Sequence, residues 1–401
     1  MNVLFIGNFY PEALLKSLLS ESKGRIVFSN HIFEKNVIKG ISGRENVNVT
    51  AVSVPNVGSF PGKNKKLFTR GENYKEEGVQ IQTVGFLNLW PVFVVCRRRA
   101  LQRLLVKILR RSAGERIHII LSAPEYYAQA ALQNSIRLTG ADVCTTVLLP
   151  DIPSIMNDNL PYKGLRRWMK HKLTVRSMEM LQTWDQYILL TPTMTDFLPG
   201  GCRTMIMEGI VSDNGGECGV GSFTEAPSVI AYTGVVDRRY GVGLLVDAFK
   251  RCSNPDSELW IAGSGPMADE LKRISGENPQ IKYFGLVSPM KAREIQSRAR
   301  VLVNPRTSEG RYTRYSFPSK TMEYLLSGRL CVANMLPGMP EEYRPFLIVP
   351  ETETVDGLAS ALRRSLEMPV EEAILFGERG RNYVLHNKNA DIQGGRILSF
   401  I

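Results

Sequence analysis

Between Ser316 and Gly328 the chain places hydroxyls, a proline, a cation and a carboxylate close together, as Ser316-Phe317-Pro318-Ser319-Lys320-Thr321-Met322-Glu323. Pro318 suits the first turn of a helix, Ser316 or Ser319 its cap, and Gly328 its end. The N–H groups at such a start, with the positive end of the helix dipole, attract phosphate. Lys320 in that first turn is unfavourable unless an anion joins it. Glu323, three residues on, shares the same face and can accept both hydroxyls of a ribose while Lys320 reaches a diphosphate. An ordinary capped helix with a surface ion pair fits these residues equally well. A second set is Tyr232-Thr233-Gly234-Val235-Val236-Asp237-Arg238-Arg239-Tyr240-Gly241. It ends a strand at Gly234 and offers Arg238 or Arg239 to a diphosphate, in forked geometry. A solvated basic turn is the plainer reading. Gly263-Ser264-Gly265-Pro266 is a tight strand-to-helix turn without the third glycine of a dinucleotide fingerprint.

Glu125 and Asp151 follow strand-like runs, where functional groups of α/β sheets gather, and either can serve as a base toward an acceptor hydroxyl. His118 lies inside its run and reads as a core residue. Neither the four histidines nor the six cysteines cluster, and no CxxC pair occurs. No zinc site, disulfide framework or cofactor is expected, and a reducing cytoplasm fits.

Those side chains need a frame. With 401 residues, 43% hydrophobic and 22% charged, the chain is expected to form two globular domains. Strand-like runs at 3–6, 47–54, 79–84, 118–122, 144–149 and 187–191 alternate with helical stretches such as 128–138 and 165–181, which predicts a parallel sheet covered on both faces. A Gly-rich polar break follows, and the alternation restarts at Ser228. The expected division is an N-terminal Rossmann-like domain over 1–208, a linker over 209–227, a C-terminal Rossmann-like domain over 228–380, and a helix over 381–401 packing back toward the first domain. Ligands of such doubly wound domains are expected in a cleft at the strand ends.

No run is long enough to span a membrane, and Met1-Asn2 leads directly into a strand rather than a signal peptide. The net charge of +11 invites an anionic partner. Nucleic acid is disfavoured, because no recognition motif is present and the aromatics do not interleave with the basic residues. Arg97 to Arg111 reads as a basic amphipathic helix preceded by Leu89-Trp90-Pro91-Val92-Phe93, suited to an anionic membrane surface, with Arg166 to Lys172 beside it in role. A domain helix with a solvated basic face is the even alternative.

The ordered runs YTGVVDRRYG, WIAGSGP, YFGLVSP, ARVLVNPR, YSFPSKTMEYLLSGR and PGMPEEY resemble the donor domain of GT-B glycosyltransferases of family 4 (group 1). The branch they resemble builds bacterial capsular, exopolysaccharide or O-antigen chains. The likeness covers residues 185–395 and thins over 1–184. It implies a retaining, hexosyltransferase-type enzyme that needs no metal, takes a nucleotide sugar such as a UDP-sugar, and serves a lipid-linked saccharide from the inner face of the cell membrane. It implies that Glu323 holds the ribose, that Lys320 and Arg239 face the diphosphate, and that Gly285-Leu286-Val287 meets the base. Three places depart from the family pattern, one of them Tyr240, which stands where a lysine is usual before Gly241 and leaves the cationic role to Arg239. Tyr315 stands where the first glutamate of an E-x7-E pair is usual, with Glu309 and Arg306 nearby. Leu121-Ser122-Ala123-Pro124-Glu125-Tyr126 lacks the usual histidine. A nucleotide-sugar epimerase on the same fold and a non-catalytic nucleotide-binding relative are the alternatives; an epimerase needs several cleft carboxylates and a histidine.

Overall fold

Apolar runs bounded by turn residues become parallel strands along both halves of the chain, as seen in a computed structural model that describes residues 1–23, 29–122, 124–157, 163–211, 228–252 and 254–401. The chain divides into two units, Met1–Ile210 with Ala390–Ile401, and Val211–Asn389. Most of the linker expected over 209–227 lies outside the described residues.

The sheet of the first unit runs, in spatial order, Arg203–Ile206, Gln186–Leu189, Val143–Leu149, Ile117–Ser122, Asn2–Gly7, Asn48–Ser53, Val79–Thr83 and Asn73–Glu76. All neighbours are parallel except the last pair, a hairpin turning through Glu77 and Gly78, both at positive φ. Asn2–Gly7 is central: Asn2 faces Asn48 on one side and Ile117 on the other. Chain order therefore reverses at the gap between Asn2–Gly7 and Ile117–Ser122, the crevice where doubly wound sheets bind ligands.

The second unit repeats the plan with five parallel strands, Ile281–Tyr283, Ser257–Ala262, Ser228–Thr233, Val301–Asn304 and Leu330–Ala333. Its switch point lies between Ser228–Thr233 and Val301–Asn304. Buried Ile230, Leu259, Ile261, Val301, Val303 and Val332 meet Leu245, Phe249, Leu358 and Leu362 from flanking helices in one core.

The helix Val370–Asn387 continues past residue 381 within the second unit, and Ala390–Phe400 belongs to the first. This last helix packs on Ser29–Ser42 with the two backbones in contact. A Cβ on Gly40 would lie 2.1 Å from the Ala390 carbonyl oxygen, and one on Gly394 2.1 Å from that of Gly40. Gln393 and Arg396 then donate to the carbonyls of Gly209 and Ile206.

Candidate functional site

The segment from Ser316 forms a helix over Ser319–Leu326. Pro318 occupies the cap position, and no side chain caps the helix, so neither serine takes the expected role. Ser316 Oγ instead accepts from Arg306 Nη2 at 2.8 Å and donates to the Tyr312 carbonyl. Phe317 is buried against Tyr343, which fixes the entry to the helix. Ser319 stands exposed in the first turn. Uncapped amides at a helix start are what an anion needs.

Lys320 and Glu323 do meet: Nζ lies 2.7 Å from Oε2, with the two side chains 38% and 42% exposed. The other Glu323 oxygen accepts from Gln296 Nε2 at 2.7 Å, and the same amide group donates to Thr233 Oγ1 at 2.7 Å. Tyr324 Oη, fully buried, accepts from the Thr233 amide at 2.9 Å. The helix start is thereby tied to the end of the central strand just before Gly234. Sequence reasoning missed Gln296; the only available signal was a polar residue on the inward face of helix Pro289–Arg298.

Three neighbouring strands send their turns to this end of the sheet. Gly234 donates to Ala262, and Gly263 donates to Gly285. A Cβ on Gly263, whose φ is +146°, would lie 1.6 Å from the Gly234 carbonyl oxygen, so only glycine fits there. Leu286 projects into solvent, and Val287 follows it in the same turn.

The two arginines are held differently from a bare basic turn. Arg239 grips Asp237 with Nε and Nη2, the latter at 2.7 Å, and that guanidinium holds the buried Asp237 carboxyl below its usual range. Arg238 pairs with Glu270 at 2.6 Å. Both keep further N–H groups for an anion, since a guanidinium carries five. At Gly241 the loop touches the neighbouring strand end: a Cβ there would lie 2.0 Å from the Pro305 carbonyl oxygen. Arg306 follows immediately, buried, with its guanidinium 4.5 Å from the Tyr312 ring centroid. Tyr312 Oη in turn donates to the Arg239 carbonyl. Tyr315 is buried and presents no carboxylate.

In the first unit, Glu125 precedes helix Tyr126–Thr139 and Asp151 follows Val143–Leu149, at the carboxyl ends of adjacent strands. His118 is in the strand but half-buried rather than in the core as expected, and its pKa is lowered chiefly by burial. The group sequence reasoning missed is Glu34, on helix Ser29–Ser42, completely buried at the switch point. Its Oε1 accepts from Ser122 Oγ at 2.6 Å and its Oε2 from the Asn8 amide at 2.7 Å. Gly7 makes room, since a Cβ there would lie 2.6 Å from Oε2. Burial pushes the Glu34 carboxyl up to about 7 despite these donors. Tyr127 Oη reaches Asn8 Oδ1 at 3.2 Å, and the amide of Tyr10 meets His31 Nδ1 at 3.2 Å. Among the described residues no three His, Cys, Asp or Glu side chains cluster as metal ligands would.

The expected basic membrane helix is corrected in one respect. Helix Phe93–Arg111 buries Leu101, Leu105 and Leu109 against the domain, and Arg97 is not on the basic face. Arg97 is buried over the Phe86 ring at 4.3 Å and donates to the carbonyls of Pro55 and Val57. Arg99, Arg103, Lys107, Arg110 and Arg111 remain exposed.

With this geometry in place, residues 227–368 match the family model described as glycosyl transferases group 1. That segment contains Gly234, Arg239, Lys320 and Glu323. No curated protein matches the chain. Solved structures share its whole fold. Sucrose-phosphate synthase from Thermosynechococcus elongatus matches over 100% of this chain and 98% of its own, with TM-score 0.66 and 13% identity. A UDP-forming alpha,alpha-trehalose-phosphate synthase from Burkholderia xenovorans, in complex with glucose-6-phosphate, matches over 99% of each chain, with TM-score 0.63 and 12% identity. The catalytic domain of starch synthase IV from Arabidopsis thaliana, bound to ADP and acarbose, matches over 95% of each, with TM-score 0.58 and 10% identity. At such identities the likeness establishes the fold, which is GT-B with two Rossmann-like domains. The fold is therefore GT-B, and it is the second unit that carries the likeness to the group 1 glycosyl transferase model.

Proposed function

We propose that this protein transfers a sugar, with retention of configuration, from a nucleotide-sugar donor to a lipid-linked saccharide during surface polysaccharide synthesis. The observation that carries the donor assignment is the linked set Lys320, Glu323, Gln296 and Thr233 beside an uncapped helix start. A diphosphate is bound by the amides of that start, by Lys320 and by Arg239. Ribose hydroxyls replace Lys320 at the Glu323 carboxylate, freeing the ammonium for phosphate. Gly285, Leu286 and Val287 meet the base. One structure of similar fold is described as UDP-forming and another is bound to ADP, which supports a nucleoside diphosphate donor; uracil is the base proposed here.

In the reaction the bond between the anomeric carbon and the diphosphate oxygen breaks and the acceptor oxygen takes the carbon from the same face. The acceptor proton passes to the departing diphosphate or to Asp151 or Glu125. Fixed cations around the leaving group supply the main stabilisation, without a metal. Arg306 stands in for the missing glutamate at Tyr315 as the residue nearest the donor sugar.

The lipid-linked acceptor is supported by the exposed Leu89, Val92 and Val95, just ahead of the basic helix residues, and by Leu165 and Trp168, which flank Arg166 and Arg167. Arg166 lies over the Trp90 ring at 5.9 Å, bringing the starts of helices Phe93–Arg111 and Gly164–Met180 together. With the helix leucines buried, these residues supply the apolar contact.

Isothermal titration with UDP, GDP, ADP and CMP tests the donor site. Lys320→Ala and Glu323→Ala should each weaken the preferred nucleotide about 10- to 100-fold, the worth of a charged hydrogen bond. Unchanged affinity in both variants refutes the assignment. Conversion of the donor into an epimeric sugar in the absence of acceptor, rather than its hydrolysis, would instead identify an epimerase.

A further inference from the structure

Away from both strand-end sites, the first unit has an open depression of about 580 Å³ between the strand Arg203–Ile206, helix Ala390–Phe400 and Arg44, just past the end of helix Ser29–Ser42. Arg44, Arg203 and Arg396 line it together with the apolar Met205, Ile392 and Phe400. Among the described residues no carboxylate lies within ion-pair distance of any of these guanidinium groups. Three like charges in one concavity repel one another, and the protein holds them there by neutral contacts. Arg44 Nη2 donates to the Asp391 carbonyl at 2.5 Å, Arg396 to Gln393 Oε1 and the Ile206 carbonyl, and Arg203 lies 4.7 Å from the centroid of the Phe400 ring. Each guanidinium retains further N–H groups.

We propose that this depression binds a small organic phosphate. A multiply charged oxyanion matches forked guanidinium donors, which single-point cations do not match as well. The apolar side chains beside the arginines offer contact to an organic moiety. Its location gives the binding a consequence. The strand carrying Arg203 leads out of the unit through Gly209 and Ile210, and the helix carrying Arg396 is where the chain returns. A bound phosphate cross-links the outgoing and returning segments through their arginines and stabilises the first unit.

Inorganic pyrophosphate is the probe, titrated calorimetrically into the full chain carrying Lys320→Ala, so that the donor site is suppressed. Binding is expected to persist and to fall at least about tenfold when Arg203→Gln is added, the worth of one charged hydrogen bond. Pyrophosphate should also raise the melting temperature of the Lys320→Ala protein more than that of the double variant. Arg203 holds no backbone group in the fold, and Arg203→Lys serves as the charge-conserving control, expected to be intermediate. Binding abolished by Lys320→Ala alone, or indifferent to Arg203→Gln, overturns the proposal. Loss of phosphatidylglycerol-vesicle binding on Arg203→Gln, with pyrophosphate affinity unchanged, would assign the arginines to a lipid surface and equally overturn it.

Discussion

A carboxyl group taken out of water holds its proton to higher pH, and Glu34 is such a group, raised from 4.5 to about 7. Below about pH 4.5 it is protonated folded or unfolded. Between 4.5 and 7 the folded protein keeps a proton that the unfolded chain has lost, so stability falls as pH rises through that window. Above 7 the whole cost of burying the charge is present. The unfolding free energy of wild type, minus that of Glu34→Gln, should therefore drop by up to about 3 kcal/mol from pH 4.5 to 8. Urea denaturation of both proteins at several pH values measures it, and a constant difference would refute it. Tyr324→Phe is a second residue-scale test. It strips the Thr233 amide of its acceptor in a buried place and should cost about 1–3 kcal/mol. Lys320 and Glu323 were legible in the sequence because they are local, three positions apart on one helix. Glu34 and Gln296 were not, because each finds its partner through tertiary packing, Glu34 at Ser122 and Gln296 at Glu323.

At the scale of elements, two glycines carry opposite expectations. Gly→Ala within a helix normally stabilises by up to about 1 kcal/mol. Gly276, near the end of helix Ala268–Glu277, has open space where a Cβ would go, and Gly276→Ala should gain roughly that amount. Gly394→Ala should instead lose about 1–3 kcal/mol, because its methyl group would meet the Gly40 backbone. Thermal melts of the two variants should move in opposite directions. The parallel strands were readable as short apolar runs between turn residues, for example Asn2–Gly7 and Ser257–Ala262. The hairpin strand Asn73–Glu76 was not, since it lies at the sheet edge and carries polar residues. The leucines of Phe93–Arg111 showed helical spacing but not their destination. The same stripe serves a membrane or a neighbouring helix, and here it packs within the domain.

For the whole molecule, the excess positive charge has an address in the exposed basic residues of Phe93–Arg111 and Gly164–Met180. Trp168→Ala with Leu165→Ser should reduce co-sedimentation with phosphatidylglycerol vesicles severalfold, and raising salt should weaken the wild type likewise, as screening requires. Equal binding to neutral and anionic vesicles would contradict this.

The division of the chain into units also orders its birth. Helix Ala390–Phe400 is synthesised only after the roughly 180 residues of Val211–Asn389, a wait of roughly 10–40 s at common rates of translation. During that interval the nascent first unit has Val37, Ile41, Met207 and Ile210 without their partners Ala390 and Ile397. The second unit, uninterrupted in sequence, can finish folding first. The half that begins emerging from the ribosome earlier is thus the one completed later, and until then its unfilled apolar seam is a natural place for a chaperone to hold.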